Sequence, residues 1–323
     1  MMEIAKKILK SRLFRLVFSI VLIYFAFKKV DVVELFREIK NVPFWFVSVN
    51  IIFSFLTVVL ISVRWSLLLF PKIRIKTILT FTRANFLATF YSLFFSTAVV
   101  GEVAKWIVID SEYPKITKTK ILGSVILDRF IGFSIFMILG LISAIVGRNS
   151  GLIIPETVFY LLIILNGACF IVYFIIYFFD ASKILPNFTL LHKLDDAFEL
   201  FRDKNRIQII KCLLVSVLTE LSYILQIWFV AWQFDVNLSL FAVFVFVPII
   251  SMILVLPISI GGFGAREQLY LFFFSQFGSS NESVLLMSAF LGILGVINSL
   301  FGGVLLFFDE ETRKKVKPVD LKK

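Results

Sequence analysis

Apolar runs close to the length of a membrane-crossing helix recur along this chain, separated by short clusters of charge. Clear runs cover residues 13–29, 44–64, 121–147, 156–179, 207–233 and 283–308. A helix needs roughly 20 apolar residues to cross a bilayer, so each predicts a spanning helix. Two further regions, 78–108 and 238–277, are apolar but interrupted by glycine and charge. Lys72, Arg74 and Lys76 precede the first, and Lys115, Lys118 and Lys120 follow it. Basic loops stay on the cytoplasmic side, so this region is expected to enter and leave there as a re-entrant hairpin or a pair of short helices. Asp235 and Glu282 flank the second region. By the same rule it dips in from the opposite face.

The order is then span, span, hairpin, span, repeated once. Three crossings per half turn the second half upside down relative to the first, as in many transporters built from broken helices. The prediction is an all-α polytopic bundle: a single integral membrane domain over 1–323, with inverted halves 1–150 and 151–323. A short echo accompanies it: Gly101-Glu102-Val103-Ala104-Lys105 and Gly262-Phe263-Gly264-Ala265-Arg266 share the pattern G-x-x-A-basic. The basic stretch before residue 13 is followed by Lys28 and Lys29 rather than by small residues, which favours a retained first helix over a cleaved signal. Segment 28–41 places Val32, Leu35, Phe36 and Ile39 on one helical face and reads as an amphipathic surface helix. The basic tail after Arg313 and the basic N-terminus put both ends in the cytoplasm, and the cell membrane is the expected location.

Composition narrows the function classes. The chain is 59% hydrophobic with 40 phenylalanines, and its mean hydropathy is +0.96. The longest polar stretch, 180–206, is too short for a soluble catalytic domain. The net charge of +11 collects in short loops, as membrane orientation requires, and calls for no nucleic-acid partner. Cys169 and Cys212 lie in apolar runs, and His192 is the one histidine. Neither a disulfide framework nor a metal site is expected. No Walker loop, HExxH or nucleophile–base pair stands out, so the chain reads as a non-enzyme with no cofactor.

Candidate chemistry lies in three charged constellations at membrane depth. An ionisable residue there is costly and is usually retained for work. Gly261, Gly262 and Gly264 precede Arg266 and Glu267. A half-helix starting near Gly264 would aim its free N–H groups at an anion, and Arg266 would add a guanidinium suited to phosphate. Glycines alone would favour close helix packing, and the adjacent Arg266 and Glu267 shift the reading to function. Glu102 and Lys105 stand three apart, share a helix face and can pair. Asp128 and Arg129 are adjacent, so each needs its own partner. Arg129 could reach Glu102 or Glu267, and Asp128 could reach Arg266 or Lys105. Alternatively, both lie near the helix end and snorkel to the surface. Arg64-Trp65 reads as an inner-interface anchor. Arg83 and Asn85 would line the first hairpin's mouth, and Glu220 would take Gln226 or a basic residue as partner.

The run Pro257 to Glu267, Gly101-Glu102 with Lys105, and Asp128-Arg129-Phe130 together resemble the lysylphosphatidylglycerol synthase transmembrane-region, or flippase-like, family. The resemblance covers nearly the whole chain. Members commonly carry a proline before the first glycine–acid pair and an arginine at the Lys105 position; this chain has neither. The resemblance implies a membrane protein that moves a polar lipid between leaflets. It does not imply synthase activity, which belongs to a fused soluble aminoacyl-transferase domain. The implied partner is a membrane lipid: an anionic or aminoacylated phospholipid, or a lipid-linked sugar, with a separate lipid-modifying enzyme nearby. The rival classes are a secondary transporter of a small solute or ion and a non-catalytic partner of a lipid-modifying or glycosyltransferase system.

Overall fold

The computed structural model of the chain describes residues 37, 39–95, 98–178, 206–256, 259 and 262–308. The expected first span, most of the amphipathic segment, the polar stretch 180–206 apart from its last residue, Gly261 and the basic tail lie outside them. Among the described residues the chain forms nine α-helices and no strand. They are α1 Phe44–Leu69, α2 Ile75–Phe95, α3 Ala98–Glu112, α4 Lys118–Asn149, α5 Glu156–Phe178, α6 Arg206–Gln233, α7 Leu240–Leu254, α8 Ala265–Phe274 and α9 Asn281–Phe308, with a 3₁₀ turn at Ser275–Phe277. Five of these, α1, α4, α5, α6 and α9, are long and apolar enough to cross a membrane. They coincide with the five expected spans that fall in the described residues.

Local sequence sets the boundaries. Pro43 precedes α1, and Pro71 follows it; proline suits a helix start and is disfavoured in a helix interior, where it removes a backbone hydrogen bond. The Ser239 hydroxyl accepts the Ala242 N–H at 3.1 Å and caps α7. Gly264 enters α8 at φ +79°, a conformation that favours glycine. The expected end of α1 is corrected: the helix runs to Leu69 rather than stopping at 64. Gln208 of α6 donates to the Leu67 and Phe70 carbonyls, which satisfies acceptors left free at a helix C-terminus.

A polar seam joins α1 to α6. Gln226 donates to the Asn50 carbonyl and to Ser54, Ser222 meets Thr57, and Glu220 faces Arg64. Residue numbers rise along α1 as they fall along α6, so the two helices are antiparallel. Buried hydrogen bonds of this kind are typical glue between helices in lipid.

Each hairpin has both of its open ends at one end of the bundle. The Phe70 and Tyr113 rings lie 4.9 Å apart, and Arg83 of α2 is 3.6 Å from Glu112 of α3. The α2–α3 pair therefore returns to the side it left, the side carrying the basic loops. At the other end the Asn237 N–H donates to Ser279 at 2.8 Å, and the Phe246 and Phe277 rings stand 5.7 Å apart. That contact closes the base of the α7–α8 hairpin. At 1.5 Å per residue, α3, α7 and α8 are about 22, 22 and 15 Å long, each short of a hydrocarbon core of about 30 Å. Packing is reciprocal: α2 lies on α9 and α7 on α4, α1 touches α2 as α6 touches α7, and α3 touches α4 as α8 touches α9.

The α2–α9 crossing is very close. A Cβ on Gly302 would collide with the Phe86 carbonyl, which is backbone and cannot swing aside. Overpacking of this kind costs about 1–3 kcal/mol. Gly302→Ala is therefore expected to lower the melting temperature of the purified protein, whereas Gly295→Ala, where nothing stands within 4 Å, leaves it unchanged.

Candidate functional site

The apolar core is split. One cluster gathers Trp65, Phe81, Ile109 and Ile131 at the basic end; the other gathers Phe46, Met137, Phe246 and Phe274 toward the opposite end. The charged side chains of five helices occupy the layer between them.

The first group centres on Arg64. Its Nε donates to Asp128 Oδ1 at 2.6 Å, its Nη2 donates to Oδ2 at 3.2 Å, and its Nη1 lies 3.5 Å from Glu220 Oε1. The guanidinium lies flat against α4 because residue 132 is glycine; a Cβ there would sit 2.6 Å from Nη1. The bidentate fork is the arrangement in which arginine and carboxylate match best. Beside it, Trp65 donates from its indole to Ser124 at 3.0 Å, and the buried Lys105 ammonium sits over the Trp65 ring at 5.6 Å. Lys105 lies 3.3 Å from Glu102, and Glu102 also accepts the Nε and Nη2 donors of Arg129, the former at 2.9 Å. One carboxylate thus serves a buried cation on its own helix and an exposed one on α4.

The second group sits at the tip of the other hairpin. Glu267 accepts the Gly264 N–H at 2.6 Å, the Arg266 Nη2 donor at 2.7 Å and the Ser288 hydroxyl at 3.2 Å. Arg266 also donates from Nε to Ser288 at 3.2 Å. Its guanidinium rests against Gly292 of α9, where a Cβ would strike it. Gly132 on α4 and Gly292 on α9 therefore do the same job, each leaving a notch for an arginine.

Both groups border one cavity of about 540 Å³. Arg64, Lys105, Arg129 and Arg266 form its cationic wall, with Glu102 and Asp128 among them. Asn85, Thr89 and Ser92 face it from one side of α2; Gly292, Gly295 and Ser299 face it from one side of α9. Val255 and Leu256, at the end of α7, also border it and are 68% and 56% exposed. The wall is cationic and hydroxyl-rich, while part of the rim is apolar and turned outward.

The structure brings most of the singled-out residues together. Glu102, Lys105, Asp128, Arg129, Gly262, Arg266 and Asn85 border the cavity. Glu267 and Glu220 stand behind Arg266 and Arg64 as their counter-ions, buried Gly264 turns the chain into α8, and Arg83 joins α2 to Glu112 nearer the basic end. Four expectations are corrected. Arg64 is buried in the charged layer rather than anchored at the interface. It is therefore the partner of Asp128, in place of Arg266 or Lys105; of the two partners expected for Glu220, the structure supplies the basic one, again Arg64, whereas Gln226 bonds to α1. Asp128 is buried and does not snorkel. The start of α8 is not an open anion site, because the Glu267 carboxylate already takes the Gly264 N–H. Sequence reasoning missed Arg64 and Ser288. The available signal for Arg64 was an arginine still inside the apolar run that began at Phe44.

Fold and charged layer together define an all-α polytopic membrane protein whose two broken hairpins meet at a polar cavity. The profile of the family described as Lysylphosphatidylglycerol synthase TM region matches residues 12–302, and the chain belongs to that family. No curated protein and no solved structure matches it.

Proposed function

We propose that this protein is a lipid translocase that carries a polar, phosphate-bearing head group through the cavity while the acyl chains stay in the bilayer. The observation that carries the reading is the single cavity shared by hairpins rooted at opposite ends of the bundle, with four cationic side chains on its wall. A head group held between the two tips is screened from hydrocarbon by hydroxyls and counter-charges. The exposed Val255 and Leu256 at the rim suit a ligand whose tails remain outside, which favours a lipid over a wholly water-soluble solute.

In this reading 1–150 and 151–323 are inverted halves of one domain. The antiparallel α1 and α6 occupy equivalent positions in the two halves, and the reciprocal packing of α2 on α9 and α7 on α4 supports the same division. Alternating access then exchanges which hairpin closes the cavity. The basic loops face the cytoplasm, as do both termini, and the protein resides in the cell membrane. The cargo is an anionic or aminoacylated phospholipid or a lipid-linked sugar, and a separate enzyme supplies it.

Reconstitution into vesicles with a head-group-labelled anionic phospholipid tests the proposal. The parent protein is expected to speed leaflet exchange well above protein-free vesicles, and Arg266→Ala to lower that rate at least tenfold, about 1.4 kcal/mol of barrier. No acceleration by the parent would refute the lipid reading; an undiminished rate in Arg266→Ala would remove Arg266 from it.

A further inference from the structure

Arg129 is out of place for a purely structural ion pair. It lies about 16 Å along α4 from the helix start, well beyond the reach of an end-of-helix anchor. Its side chain is 62% exposed. Three and seven residues before it, on the same outward face, stand the exposed Ile126 and Leu122. Val255 and Leu256, also exposed, border the same cavity from the end of α7. A guanidinium at the cavity edge is thus exposed on an apolar face of α4, about a third of the way along a helix long enough to span a membrane, where an unsatisfied charge is costly. Glu102 meets part of that demand from inside, through bonds to Nε and Nη2 at one carboxylate oxygen. But Glu102 is shared with the buried Lys105 at 3.3 Å, so it does not belong to Arg129 alone.

We propose that Arg129 heads a lipid-phosphate site at a lateral mouth of the cavity, between α4 and the end of α7, distinct from the site at Arg266. This rests on the translocase reading above. A phosphodiester on the bilayer side of Arg129 completes its charge pairing while the acyl chains lie along Leu122, Ile126, Val255 and Leu256. Moving inward, the phosphate exchanges Arg129 for Lys105 and Arg266, and Glu102 passes between the cations it already contacts. The mouth therefore selects lipids by the charge at the glycerol phosphate, before the rest of the head group is met.

The test reads lipid composition at the mouth, independently of transport. Cys169 and Cys212 are both buried, so the Ile126→Cys variant can be labelled there with a fluorophore, the parent carrying its native cysteines as blank. Nanodiscs then contain phosphatidylglycerol or phosphatidylcholine brominated near the glycerol. Brominated phosphatidylglycerol is expected to quench several-fold more than phosphatidylcholine at equal mole fraction. Adding Arg129→Gln removes the difference, and adding Arg266→Gln leaves it. Equal quenching by the two lipids, or an unchanged difference with Arg129→Gln, would overturn the proposal. Loss of the difference on adding millimolar glycerol phosphate would also overturn it, by showing a site for soluble phosphate. Leaflet exchange on the same preparations separates the two readings. Enrichment without exchange keeps the mouth and removes the translocase; exchange without enrichment does the reverse.

Discussion

Replacing Arg64 with alanine is expected to destabilise the folded protein by about 3–5 kcal/mol, the usual consequence of leaving buried charge without its partner. The Arg64 and Asp128 side chains are only 5% and 4% exposed, so water cannot take over the lost interaction. The damage is doubled because Arg64 neutralises two carboxylates. Asp128 loses a two-pronged bond at 2.6 and 3.2 Å, and Glu220 loses the guanidinium 3.5 Å away. These groups come from α4, α1 and α6, so the loss falls where three helices meet. Thermal unfolding of purified protein in detergent checks the result. Asp128→Asn keeps the arginine and the shape and is expected to lose less. A double variant, Arg64→Leu with Asp128→Leu, is expected to lie above Arg64→Ala in stability, because a matched apolar pair leaves only Glu220 uncompensated. If Arg64→Ala melted with the parent, the charged layer would not be what joins these helices.

Hydropathy carried the membrane class because lipid imposes a simple rule: about 20 apolar residues per crossing, with every backbone group paired internally. The five spans and both hairpins could be read from that rule and from loop charge. The same logic marked Gly101 to Lys105 and Gly262 to Glu267, since lipid tolerates charge and loosened backbone inside an apolar run only where they face protein or a polar cavity. It misplaced Arg64. Five residues, Trp65 to Leu69 with only Ser66 polar among them, separate it from the loop at Phe70, and from sequence that distance looks like an interface. Its burial depends on α6 lying antiparallel across α1 and supplying Gln208 to extend the helix, a contact between residues some 140 apart in the chain. Ion-pair choice was partly legible for the same reason. Glu102 and Lys105 sit on one helix, so their spacing decided the pair. Asp128 chose between cations on different helices, and only the crossing of α1 and α4 decides that. At Gly264 the sequence predicts the half-helix but not that Glu267, three residues on, folds back as its cap.

That cap underlies the other large effect. Glu267→Gln is expected to cost about 3–5 kcal/mol, again by breaking a buried charge pair, and to loosen the hairpin tip selectively. Three donors converge on this carboxylate: the Gly264 N–H on one oxygen, and Arg266 with Ser288 on the other. A glutamine offers one oxygen and one NH₂. Whichever way it turns, an N–H faces another donor, and the Arg266 charge loses its counter-ion. The side chain is 4% exposed, so the mismatch cannot be hydrated cheaply. Glu267 joins the Gly264 N–H to Arg266 and adds a second bond to Ser288 of α9 beside the one that Arg266 makes itself. Hydrogen exchange with mass spectrometry reads this directly. Amides of 262–270 are expected to exchange at least a hundredfold faster than in the parent, about 2.7 kcal/mol of lost protection, while those of α1 and α6 change little. On the translocase proposal, leaflet exchange falls with them, because Arg266 is no longer held at the cavity wall. Unaltered protection at 262–270 in Glu267→Gln would mean that the tip is held by packing alone. The paired arginine and glutamate would then be free to serve the cargo without any part in shaping the hairpin.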